Sequence, residues 1–282
     1  MNSSNPTIAP TGASSCGLHP IGLTEALNLA RTGYTLRDPL FDATFADRLI
    51  EEIDRLIELG IIPAVPDRMV RQHPTEWVSV LGIVSGNHLD GPLWKASPLV
   101  RRLFEDLQNL GRSYNSVRET MIAGGCVTEA EAPPIAVDGM EMNLSRVIGS
   151  QDARWSGHAL HQDTHRFNPG MQALPQGSVQ HNSIRARAFT VSGYARPLGS
   201  DGERRNDWGG GLPFLVRPSA RNMADKSVFD IVPANHNTGA LFFPHTTHGV
   251  SRMPATNSVR YSFQAFYPAS EAWKTISKRL SQ

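Results

Sequence analysis

The stretch HALHQDTH sets His158, His161, Asp163 and His165 within one short run. In an extended strand, residues two apart point to the same side. His161 and Asp163 therefore aim at one point, where an imidazole and a carboxylate are a donor pair for a divalent transition metal. One further histidine from elsewhere in the chain would complete a facial triad, which leaves three metal positions open for an oxidant and a second ligand. An HxD match in isolation is more often a hydrogen-bonded polar surface segment, so the reading needs a partner elsewhere in the chain.

That partner lies in FFPHTTHGVSRMPATNSVRYSFQAFY. A histidine precedes a β-prone run, and Arg260 follows His248 by 12 positions at the head of another such run. Two strands joined by a turn are expected here. In such a hairpin His248 and Arg260 sit on neighbouring strands and point into one barrel, about the length of a five-carbon diacid apart. A 2-oxoacid chelates a metal through its keto oxygen and C1 carboxylate, and its far carboxylate then needs a buried, planar, permanently charged partner. Arginine supplies that fork. His245, three positions before His248, competes for the role of distal ligand.

The run HQD (161–163), His248 and the sequence Arg260-Tyr261-Ser262 resemble the HxD…H…RxS signature of Fe(II)/2-oxoglutarate dioxygenases with a double-stranded β-helix fold. The resemblance extends over 141–267, where FTVSGYA (189–195) looks like the core strand after HxD and GGGLPF (209–214) like a GG-L segment. It implies that His161, Asp163 and His248 hold Fe(II), and that 2-oxoglutarate and O₂ are consumed to give succinate, CO₂ and, by default, a hydroxylated substrate. His248 fits the pattern better than His245 because Gly249-Val250 follows it. Asp163 disfavours halogenation, for which related enzymes carry a small residue at that place. Arg260, with Ser262 two residues on, is expected at the far carboxylate of 2-oxoglutarate, and Asn143 and Arg146 lie on a strand from which relatives touch that cosubstrate. His165, Arg166, Arg187 and Trp208 are candidates for substrate contact; His158 and Arg185 stand close to them in sequence.

The elements that must position these residues divide the chain in two. Apolar residues recur at helical spacing over 45–59, with Asp42 or Thr44 as N-cap and Gly60 as stop, and again over 98–110, with Gly111 as stop. Residues 76–84 read as a strand or buried segment. Beyond about 139, short β-prone runs alternate with Gly, Pro and Asn clusters. The strands expected are 141–148, 158–162, 186–194, 211–216, 228–232, 240–243, 249–253 and 259–267. The fold class is thus α+β: a jelly-roll or cupin-like core over about 139–268, flanked by an N-terminal helical part over about 21–138. Together these make one domain, 21–282, behind a flexible tail, 1–20. The polar, Gly-rich run 197–211 reads as an exposed loop beside the site.

Composition narrows the function classes. Of 282 residues, 40% are hydrophobic and 19% charged, as in ordinary globular chains. With 27 basic against 26 acidic residues there is no field to gather a polyanion, so neither nucleic acid nor an anionic membrane is an expected partner. Cys16 and Cys126 lack zinc spacing, and the N-terminus lacks the pattern of a secretory signal, which together favour a cytoplasmic protein. A diffusible, carboxylate-bearing small molecule is the expected substrate, such as a free or N-substituted amino acid or a natural-product intermediate. A hydroxylase of protein side chains and a non-catalytic metal-binding β-barrel sensor are the alternatives. An iron dioxygenase that needs no cosubstrate is disfavoured by Arg260.

Overall fold

Two helices of the N-terminal half stop where local chemistry dictates. In the computed structural model, which describes residues 16–62, 82–85, 95–129, 132–148, 158–161, 187–204, 209–217, 228–251, 253, 258–271, 274–275 and 278, helix α1 (Leu23–Thr32) ends at Gly33 in the left-handed conformation. Strand β1 (Tyr34–Arg37) follows directly. Helix α2 (Phe45–Glu58) buries Leu49, Ile50, Ile53 and Leu56 and turns off at Gly60, whose φ is 66°. Thr44 stands at its N-cap without a side-chain capping bond, so the capping role expected of that hydroxyl is not played.

Beyond strand β2 (Gly82–Ser85), helix α3 (Pro98–Ala123) starts with Ser97 Oγ accepting from the Val100 amide at 3.1 Å and Pro98 in the first turn. It does not stop at Gly111, as its sequence predicts, but runs on for 12 more residues. Gly111 is there for packing. A Cβ at that position would lie 2.6 Å from Cε1 of Tyr267, a fully buried ring whose hydroxyl donates to the Leu107 carbonyl at 2.6 Å. Cys16, within the tail expected over 1–20, is fully buried, its amide bonded to Asp106 of α3.

The strands expected in the C-terminal half are β3 (Glu141–Ile148), β4 (His158–His161), β5 (Arg187–Ala195), β6 (Leu212–Arg217), β7 (Val228–Val232), β8 (Thr238–Phe242), β9 (His248–Val250) and β10 (Val259–Pro268). They distribute over two antiparallel sheets. The large one runs β1-β8-β5-β10-β3-β2 and the small one β4-β9-β6-β7. Of the segment expected to be extended over 76–84, only its end is described, as part of β2.

One face of the large sheet is apolar and covered by the helices. Phe189, Val191, Phe263, Ala265, Tyr267, Met142 and Leu144 join Leu49, Ile53, Leu103, Phe104 and Leu107 in the main core. The opposite face meets the small sheet through a second cluster, in which Tyr34, Tyr194, Ala240 and Phe242 pack with Leu212, Phe214 and Val232. Functional side chains from both sheets can converge only in this inter-sheet space.

Candidate active site

Cross-strand register assigns the inner face of the large sheet residue by residue, because partners directly opposite share a face. Three rows cross β8, β5, β10 and β3: Thr238-Tyr194-Ser262-Ser145, then Ala240-Ser192-Gln264-Asn143, then Phe242-Thr190-Phe266-Glu141. Arg260 lies one alternate position before the first row. This face is rich in hydroxyls and amides, whereas its reverse is almost wholly apolar. That asymmetry is what a strand needs to serve a core on one side and a polar site on the other.

At the third-row end stands His248. It is 4% exposed, and its ring centroid is 4.6 Å from that of Phe242 and 5.9 Å from that of Phe214. Nδ1 lies 2.8 Å from the Thr246 carbonyl. A carbonyl only accepts, so Nδ1 carries the proton and Nε2 the lone pair, the tautomer and orientation of a metal-binding histidine held by a backbone bond. The backbone register of β4 against β9 sets His161 directly opposite His248 and His158 opposite Val250. Two predicted ligands far apart in sequence thus become cross-strand neighbours. Asp163 lies outside the described residues, and among these no group of three metal-ligating residues is complete. His245 is exposed and stacked on Phe243, away from this ladder.

At the other end, Nη1 of Arg260 donates to the Gly210 carbonyl and the guanidinium carbon lies 5.5 Å from the centre of the Tyr194 ring. Nε is sealed from solvent and has no hydrogen-bond partner among the described residues. No carboxylate pairs with this arginine among them either. Burial pulls the guanidinium below its ordinary value, and only the neighbouring Tyr194 opposes that. Burial likewise pushes the Tyr194 hydroxyl up to about 12, so it is a neutral donor at physiological pH. Beside them Ser262 and Ser145 share a 2.6 Å hydroxyl–hydroxyl bond. A cation, a phenol and paired hydroxyls in one corner suit a carboxylate, and an unpaired buried donor costs about 1–3 kcal/mol until something accepts from it.

The hairpin expected to join His248 to Arg260 is not formed. β9 lies between β4 and β6 of the small sheet, and β10 lies between β5 and β3 of the large one. His248 and Arg260 thus belong to opposite sheets of the sandwich and stand at opposite ends of the inner-face rows.

The other predicted residues separate by face. Asn143 lies on the inner face, in the row of Gln264. Arg146 does not: it sits opposite Tyr261 on the helix side, its Nη1 2.7 Å from Oδ1 of Asp54 in α2, and Tyr261 donates to the other oxygen of that carboxylate. The cosubstrate contact suggested for Arg146 is therefore replaced by a strut between sheet and helix. Arg187 opens β5 and holds its guanidinium carbon 3.4 Å over the ring of Phe266, at the His248 end. His165, Arg166, Arg185 and Trp208 lie outside the described residues. Sequence reasoning passed over Tyr194, Ser145 and Gly210. Of these, Tyr194 had a signal: it shares strand parity with Thr190 and Ser192, a polar stripe within an otherwise apolar run.

No protein-family model and no curated protein sequence matches the chain. Solved structures do. A prolyl-4-hydroxylase from Pseudomonas putida superposes with a TM-score of 0.53 at 13% identity, over 88% of this chain and 98% of that one. A prolyl hydroxylase from Trichoplax adhaerens, solved with a hypoxia inducible factor oxygen degradation domain peptide fragment, superposes at 0.54 with 16% identity, over 90% of this chain and 91% of that one. At such identities the likeness establishes the fold alone, which this chain shares with these two structures.

Proposed function

We propose that this chain is an Fe(II)- and 2-oxoglutarate-dependent oxygenase that hydroxylates a C–H bond of a small carboxylate-bearing molecule. The distribution of β3 to β10 over the two sheets is read as a double-stranded β-helix. Within it, His161, Asp163 and His248 would hold iron, and Arg260, Tyr194 and the Ser145–Ser262 pair would hold the far carboxylate of 2-oxoglutarate. Iron and 2-oxoglutarate, when bound, supply the oxidising chemistry with O₂, releasing succinate and CO₂. The protein's own residues anchor and orient: Arg260 fixes one end of the cosubstrate, His248 presents Nε2 at the other, and Phe214 and Phe242 exclude water around that imidazole.

The observation that carries this reading is Arg260. A guanidinium sealed between two sheets with its Nε unpaired among the described residues, across the sandwich from a backbone-oriented histidine, has its natural complement in a diacid that also reaches a metal. The substrate class rests on Arg187, whose guanidinium over Phe266 sets a second cation at the His248 end, suited to the carboxylate of a free or N-substituted amino acid or a natural-product intermediate.

The test is aerobic incubation with Fe(II), 2-oxoglutarate and a panel of such acids, with succinate as the readout. Succinate release that falls at least about 100-fold in both His248→Ala and Arg260→Ala is expected, since each variant removes an anchor made by a charge or a metal bond. Iron-loaded protein that releases none with any acid would contradict the proposal. Because both structures compared above are prolyl hydroxylases, one of them with a peptide bound, protein hydroxylation is the second reading. Proline-containing peptides that gain one oxygen while the free acids stay unchanged would establish it instead.

A further inference from the structure

Three of the five buried side-chain polar atoms that lack a hydrogen-bond partner among the described residues belong to one face: Nε of Arg260, Oγ of Ser192 and Oγ1 of Thr190. Thr190 and Ser192 are both 0% exposed. Register sets them on the inner face of β5, two residues apart and in consecutive rows between Tyr194 and the His248 end. Their neighbours in those rows are Ala240, Phe242, Gln264 and Phe266. Native folds leave few such groups, and a pair aligned along one strand, on the face turned to the second sheet, is the arrangement of donors that wait for an acceptor.

The charge around them selects that acceptor. Arg260 and Arg187 flank the stripe at its two ends, and Glu141 is the one acid on the described inner face of the three rows. Hydroxyls between two guanidinium groups are best satisfied by anionic oxygen, where each bond is charge-assisted. Strand rise separates successive rows by roughly 6.8 Å, so Ser192 stands about one row beyond the corner that grips the far carboxylate, and Thr190 one further.

We propose that the hydroxyls of Thr190 and Ser192 donate to a carboxylate held between the two sheets, making β5 a second acid-binding strip beyond the Arg260 corner. The inference rests on the oxygenase reading for the direction in which the ligand lies. The carboxylate has two possible sources, the oxoacid end of 2-oxoglutarate or the acid group of the substrate.

The experiment compares wild type with Thr190→Val, Ser192→Ala and Thr190→Ser, the last of which keeps the hydroxyl. First, 2-oxoglutarate is titrated anaerobically into Fe(II)-loaded protein. Second, N-acetyl amino acids and their matched amides are ranked by the 2-oxoglutarate turnover they stimulate. Third, metal-free protein is melted with glutarate or 2-oxoglutarate. Removing one charge-assisted bond is expected to weaken the acid roughly tenfold, with Thr190→Ser close to wild type. Weaker 2-oxoglutarate binding in Thr190→Val or Ser192→Ala identifies the cosubstrate as source. Unchanged cosubstrate binding with lost discrimination between acid and amide identifies the substrate.

If wild type binds no 2-oxoglutarate with iron, yet glutarate raises its Tm and the hydroxyl-deleted variants lose that rise, the oxygenase reading fails and the acid strip stands. Variants that melt higher than wild type without ligand and match it in all three arms would overturn the proposal, leaving two merely unsatisfied hydroxyls.

Discussion

At the scale of single residues, the site combines groups that are costly alone with a geometry that makes sense of them together. Arg260 is the clearest case, since its Nε has no acceptor among the described residues and its Nη1 reaches only a backbone carbonyl. Arg260→Met is expected to melt higher than wild type without ligand, by about 1 kcal/mol or roughly 2–4 °C, because an unsatisfied donor is removed. The same change should abolish stabilisation by 2-oxoglutarate. Paired melts with and without the acid check both, and a variant that melts lower in both conditions would mean that Arg260 is structural. Gly210 supports the arginine from below: its φ is 78°, and a Cβ there would fall 2.9 Å from Nη1 of Arg260. Gly210→Ala should therefore weaken 2-oxoglutarate binding without touching any metal ligand, as an anaerobic titration would register.

At the scale of elements, the strands were legible and their partners were not. Alternation punctuated by Gly, Pro and Asn located every strand from β3 to β10, β3 and β7 at the predicted ends. Pairing between residues distant in sequence leaves no local trace, so β9 and β10 read as a hairpin although they belong to different sheets. The same limit explains Arg146, whose strand was found but whose facing depended on α2 being behind it. Gly111 misled for another reason: a helix-ending glycine and a helix-packing glycine look alike until the ring of Tyr267 is in place. Gly111→Ala separates these meanings. Alanine has the better helix propensity by about 1 kcal/mol, but overpacking against a fully buried ring costs about 1–3 kcal/mol, so a net loss of stability is expected. Denaturant unfolding should show a lower midpoint at unchanged slope. A gain would mean that the ring moves aside freely.

At the scale of the whole molecule, the large sheet separates two tasks, with the helical core on one face and the polar rows on the other. The two histidines expected to bind metal, by contrast, lie on strands that the chain reaches far apart. His161 and His248 were legible as residue types in a given order; that they are cross-strand neighbours emerges only from the pairing of β4 with β9. The margin of the fold carries its own pH dependence through His236, half-buried between β7 and β8. Burial first, and the charge of Arg204 second, hold this imidazole below its ordinary 6.5, with Asp47 opposing them. A depressed folded-state value means that the unfolded chain binds the proton more readily. The stability contributed is present above the ordinary value and lost as pH falls through the folded one. Melting temperatures should drop from pH 7 to about 5 in wild type and drop less in His236→Asn.

The central claim is that one pocket holds both a metal and an anchored 2-oxoacid, and anaerobic spectroscopy reaches it directly. Fe(II) is added to the metal-free protein and 2-oxoglutarate is then titrated while the visible metal-to-ligand charge-transfer band is followed. The account predicts a band in wild type, none in His161→Ala, and a band in Arg260→Ala that needs at least about 100-fold more 2-oxoglutarate. Bound iron without any band at saturating 2-oxoglutarate would contradict it and leave a metal-binding barrel that takes no cosubstrate.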